Sequence, residues 1–218
     1  MKRIFLAAEA LLWLSFLTLD LLQAAGTVSL WLKFSSILLV LLADLTAART
    51  RDGRLVAAAL VLTVAADVFL LVLDRHYALG VALFLCVQAL YTVRLCRMTE
   101  TSCVLHLTAR AMLSGFAAWF LRARLGALEA LAGAYIVWFF MNLAQACAAF
   151  AHSRSVRSAR VCAGLALFFL CDLCVGVHNL PRSALSGFAD VAMWAFYLPG
   201  QVLIVLSTDC FGGEVCEE

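Results

Sequence analysis

Two aspartates, Asp67 and Asp172, each stand alone well inside a long apolar run. Asp67 lies in Val61-Leu-Thr-Val-Ala-Ala-Asp-Val-Phe-Leu-Leu, and Asp172 in Leu165-Ala-Leu-Phe-Phe-Leu-Cys-Asp-Leu-Cys-Val. Two carboxylates that share a poorly solvated site titrate apart, so one holds a proton while the other stays ionised. That division of labour is general acid–base chemistry. Lys33, also within an apolar run, is placed either to keep an acid ionised, to bind an anionic group, or to form a structural ion pair with Asp20. Cys171 and Cys174 have a C-x-x-C spacing, but no second pair completes a zinc site. The cysteines therefore read as small packing residues, no metal-ligand cluster is visible, and the chemistry requires no cofactor.

The elements that must hold these residues follow from composition. The 218 residues are 65% hydrophobic and 14% charged, too apolar for a water-soluble domain. The runs are continuous rather than alternating, which excludes a membrane barrel and points to helices. With two prolines in the chain, long helices can run unbroken. The expected spans are 4–25, 28–48, 55–73, 77–96, 103–121, 125–150, 161–179 and 184–207, an all-α fold with eight transmembrane helices. Connections fall at Gly26–Thr27, Asp52–Gly53, Asp74–Arg75–His76, Arg122–Ala123–Arg124 and Asn179–Leu180–Pro181. The first run carries Glu9 and Asp20 and leads straight into the next span, so it reads as a retained helix rather than a cleaved signal.

An even number of spans puts both termini on one side. With the N-terminus inside, Lys2, Arg3, Arg49, Arg51, Arg54, Arg94, Arg97, Arg154, Arg157 and Arg160 are cytoplasmic. Arg75, Arg122, Arg124 and Arg182 are then outside, and ten against four favours this orientation. The cell membrane of a bacterium, or the endoplasmic reticulum of a eukaryote, is the expected location, and no nucleic-acid partner is expected. Residues 209–218 form an acidic tail behind a single transmembrane domain over 1–208.

An internal repeat is also visible. Tyr91 follows Asp67, and Tyr197 follows Asp172, at nearly the same interval. Residues 1–98 and 99–208 then form two parallel four-helix units related by an axis along the membrane normal.

Polar residues inside the spans recur on single helix faces. Glu9, Trp13, Phe16 and Asp20 share one; Lys33, Ser36 and Asp44 another; Tyr135, Asn142 and Gln145 a third; Asp190, Trp194, Tyr197 and Gln201 a fourth. A charge at the bilayer centre costs at least about 2.5–3.5 kcal/mol on insertion scales, so such faces should turn inward. Lys33, Asp67, Tyr135, Asp172 and Asp190 all fall in the outer half and are expected around one pocket. Glu9, Asp44 and Glu129, nearer span ends, are expected to reach headgroups.

This pattern resembles the YhhN family of lysoplasmalogenase-like membrane proteins over residues 28–208. The matching text is Lys33-Phe34, Ala66-Asp67, Phe84-x-x-x-Gln88-x-x-Tyr91, Cys171-Asp172, and Tyr197-x-x-x-Gln201 with Ser207, alongside Gly80, Tyr135 and Met141. The family's usual proline, glycine, serine and histidine are replaced by Phe34, Ala66, Cys171 and Gln88. Gln88 cannot exchange protons near neutral pH, so no acid–base duty falls on it. The resemblance implies hydrolysis of the vinyl ether bond of a lysophospholipid-type substrate by Asp67 and Asp172. Lys33, Gln88, Tyr135, Asn142, Asp190, Tyr197 and Gln201 are the substrate-binding candidates. A small-molecule or lipid transporter and a non-catalytic lipid-binding protein also fit the buried charges.

Overall fold

The computed structural model describes residues 2–24, 26–47, 50–180 and 185–208. Among them eight helices and no strand form. They are α1 Lys2–Leu21, α2 Gly26–Ala47, α3 Arg51–Asp67, α4 Tyr77–Met98, α5 Cys103–Arg122, α6 Ala127–Ser153, α7 Val156–His178 and α8 Ser186–Leu206. α3 continues as a π-helical turn, Val68–Val72. All eight are long and apolar enough to cross a bilayer. Large apolar side chains such as Ile4, Met112, Phe116, Trp119 and Phe188 remain exposed on the bundle's outside, where lipid is their natural solvent. The acidic tail with Cys210 and Cys216, together with Arg49, Pro181 and Arg182, lies outside the described residues.

Two helices begin earlier than their hydropathy indicates. α3 starts at Arg51 and α7 at Val156, so Asp52–Gly53 belongs to a first turn and not to a connection. Side-chain caps explain this. Thr50 accepts from the Gly53 amide at 3.0 Å, and Ser155 from the Ser158 amide at 3.1 Å. Each satisfies an amide that has no partner within the helix. Ser102 caps α5 in the same way. All three caps lie at the face of the bundle where α1 also begins, called here the N-terminal face.

Neighbouring helices in sequence pack against one another. α4 also lies against α6, and α8 against α2, α1 and α3. α5 rests mainly on α6 and is the most exposed span. α7 and α8 approach closely, backbone to backbone. A Cβ on Gly200 would lie 3.0 Å from the Gly164 carbonyl oxygen and 3.1 Å from the Phe168 amide nitrogen. Contact this close needs two glycines and gains dispersion energy that lipid cannot drive by hydrophobicity. Gly200→Leu should therefore cost about 1–3 kcal/mol, as overpacking does. Gly115→Leu, on a position with nothing within 4 Å, should be near neutral. Thermal unfolding in detergent measures both, and equal melting of the two variants would contradict the packing account.

Candidate functional site

Asp67 closes the α-helical part of α3, just before its π turn. Turns of this kind open the helix and recur at functional sites. Leu70 of that turn packs over Gly80 of α4, where an added Cβ would sit 2.5 Å from the Leu70 Cγ. The bulge is thus seated by a neighbour with no side chain. Asp67 is 5% exposed. Its Oδ2 accepts a hydrogen bond from the Tyr197 hydroxyl at 2.6 Å, across α3 and α8.

Asp172 repeats this chemistry across α6 and α7. Its Oδ2 accepts from the Tyr135 hydroxyl at 2.5 Å, and the side chain is half-buried. Each carboxylate therefore has one oxygen engaged by a tyrosine on another helix. Cys171, next to Asp172 in sequence, is buried. Phe168 joins the two pairs. Its ring centroid is 5.6 Å from Tyr197 and 5.7 Å from Phe84, and Phe84 in turn is 6.2 Å from Tyr135. Offset and edge-on contacts like these stabilise by about 0.5–1.5 kcal/mol per pair beyond area burial.

Lys33 takes up the ion-pair alternative. Its Nζ is 2.9 Å from Asp20 Oδ2, and Ser29 donates to Asp20 Oδ1 at 2.6 Å. The same ammonium lies 4.9 Å from the Trp194 ring centroid. Trp194 packs edge-on against Tyr197 at 5.4 Å. Lys33 is thus one aromatic ring away from the Asp67–Tyr197 pair. An ammonium over an indole face is favourable by about 0.5–2 kcal/mol.

The remaining candidates divide. Gln88 is fully buried. Its side-chain and backbone oxygens accept from Asn142 Nδ2 at 2.9 and 2.8 Å. Its Nε2 has no hydrogen-bond partner. Asn142 belongs to a knot that ties α4, α5 and α6. Its Oδ1 accepts from Thr92 at 2.9 Å and from Arg110 Nε at 3.0 Å, and Arg110 reaches Gln145 at 2.7 Å. Gln201 is fully buried with neither amide atom partnered. Asp190 does not join the others. It is exposed on the first turns of α8, two helical turns before Tyr197 on the same face. Glu9 and Asp44, expected at headgroups, are instead buried at 3% and 0% exposure. Glu129 is exposed.

Residues without a sequence signal complete the picture. Phe168 is an ordinary apolar letter, and nothing marks it as a ring between two acid–tyrosine pairs; Phe84 stands in the family motif, but the motif does not say what it packs against. Arg94, counted from its sequence position as an interfacial charge, is buried at 2% and makes a two-pronged pair with Asp52 at 2.9 Å on both arms. A crevice bordered by Tyr91, Arg94, Leu95, Val161, Leu165 and Ile204 lies beside it and does not reach the aspartates.

The model of the YhhN family matches residues 28–208. The chain belongs to the YhhN family. No curated protein and no solved structure matches it significantly. The matched stretch spans Lys33, both acid–tyrosine pairs and Gln88, so the family region contains the whole candidate site.

Proposed function

We propose that this YhhN protein is a membrane-embedded hydrolase that cleaves the vinyl ether bond of lysoplasmalogens, releasing a fatty aldehyde and a glycerophospho-base. The observation that carries this reading is the pair of shielded carboxylates, each steadied by a tyrosine on another helix and joined through the rings of Phe168 and Phe84. In the reaction a carboxylic acid gives its proton to the β-carbon of O–CH=CH. The alkene electron pair forms the new C–H bond and leaves an oxocarbenium ion. The second carboxylate takes a proton from water as the water oxygen bonds to the cationic carbon. The hemiacetal then breaks its C–O bond to the glycerol, the hydroxyl proton passing through the carboxyl pair to the leaving oxygen. One water is consumed and the acid is restored.

Glycoside hydrolases divide labour between two carboxyl groups in a comparable way. The tyrosines act as positioning residues, since each holds Oδ2 and leaves Oδ1 for proton transfer. Half-buried Asp172 gives the bond a way in, and the alkenyl tail replaces Phe84 or Phe168 ring contacts. Lys33, paired with Asp20, steadies Trp194 against Tyr197. Aldehyde release by purified protein given lysoplasmalogen tests the reading. Uptake without product supports a transporter, and binding without product supports a non-catalytic lipid-binding protein.

The equal depth of the acids supports the two-repeat organisation over 1–98 and 99–208. Asp67 is 16 residues past Arg51 and Asp172 is 16 past Val156, in helices that begin at one face. We further propose that the N-terminal face is cytoplasmic, from the distribution of arginine and lysine. A reporter fused after Glu218 should read as cytoplasmic, and a periplasmic or lumenal signal would reverse the assignment.

A further inference from the structure

Arg51 and Arg54 on the first turn of α3 and Arg97 on the last turn of α4 border one crevice of about 360 Å³, with Leu55 as its apolar wall. All three arginines are exposed. The acid nearest in sequence, Asp52, is already engaged. Arg94 binds both of its oxygens at 2.9 Å, and Arg157 lies 3.1 Å from Oδ2. Among the described residues the ion pairs are Lys33–Asp20, Arg94–Asp52 and Arg157–Asp52, and none includes Arg51, Arg54 or Arg97. Three exposed arginines therefore border one wide, open depression while the local carboxylate is held elsewhere.

At the opposite face Arg124 lies over the Phe120 ring at 4.6 Å, so its charge is directed to an aromatic neighbour. Guanidinium groups match the paired oxygens of phosphate better than any other side chain. The crevice lies at the ends of membrane spans, at the level of lipid headgroups, and Leu55 offers apolar contact next to the charges. We infer that Arg51, Arg54 and Arg97 form a binding site for a phosphate-bearing anion, the headgroup of an anionic phospholipid. The site is separate from the aspartate centre and stands whether or not the hydrolase reading holds.

Native mass spectrometry of the purified full-length protein tests this, with phosphatidylglycerol and phosphatidylcholine as probes. One phosphatidylglycerol should be retained in preference to phosphatidylcholine. Each arginine near a headgroup contributes about fivefold, so the triple variant Arg51→Gln/Arg54→Gln/Arg97→Gln should lose about 100-fold. Arg97→Gln alone should lose about fivefold, which keeps the test open if the triple variant does not fold. Arg122→Gln/Arg124→Gln should retain the full preference. Equal retention of the two lipids, undiminished preference in both the triple and the single variant, or equal loss in the Arg122/Arg124 variant would overturn the site. Millimolar inorganic phosphate decides the source. Displacement of the lipid assigns the crevice to the phosphate group itself, and no displacement assigns it to the whole headgroup with its Leu55 contact.

Discussion

Replacing Asp67 or Asp172 by asparagine should lower aldehyde release from lysoplasmalogen by about 10²–10⁴-fold, the usual cost of losing one acid–base group. Asparagine keeps the shape of the side chain. Its amide oxygen can still accept the hydroxyl of Tyr197 or Tyr135, now 2.6 and 2.5 Å from the carboxylates. What it loses is the exchangeable proton. Folded protein should therefore remain in the membrane at wild-type abundance with its melting temperature little changed. Tyr197→Phe and Tyr135→Phe give the graded comparison. Each leaves its carboxyl group in place and removes one hydrogen bond, so the expected loss is smaller than for the acids and carries a shifted pH profile. Purified wild type and the four variants, assayed across pH, decide the matter. Wild-type turnover in both asparagine variants would make the aspartates structural and remove the main support for hydrolysis.

The path from sequence to this site was uneven, for physical reasons. Continuous apolar runs fix the existence and number of the helices because lipid permits no exposed backbone polar groups. Polar first turns hide helix starts: Arg51-Asp52-Gly53 and Val156-Arg157-Ser158 look like loops, and only the caps Thr50 and Ser155 show otherwise. The insertion cost of charge makes Asp67 and Asp172 conspicuous. Their partners are not, since Tyr197 is 130 residues from Asp67 and Tyr135 is 37 from Asp172. Lys33 and Asp20 were accessible as a pair because they flank a short hairpin between α1 and α2, and one face of each helix meets the other. The π turn after Asp67 has no glycine or proline to announce it. It is seated by Gly80, ten residues on in the next helix, which receives Leu70. Helix periodicity also could not distinguish Asp190 from Tyr197, since angle around a helix says nothing about depth along it.

Arg94→Met should destabilise the folded protein by about 3–5 kcal/mol, the range for breaking a buried ion pair on one side. Arg94 is buried at 2% and donates twice to Asp52 and once to Ser207, each at 2.9 Å. It thereby joins α4 to the start of α3 and the end of α8. Removing the guanidinium leaves Asp52 without two of its hydrogen bonds and Ser207 without the Arg94 donor. Arg157 also pairs with Asp52, at 3.1 Å, but its side chain is 37% exposed. Solvent screens that pair, so Arg157→Met should cost about 1 kcal/mol or less. Arg94→Lys should behave like Arg94→Met more than like wild type, because an ammonium cannot reproduce the two-pronged geometry. Thermal unfolding of the three variants in detergent reads the difference. Arg94→Met and Arg157→Met melting together would show that burial adds nothing to this pair and that α3, α4 and α8 are held by apolar packing alone.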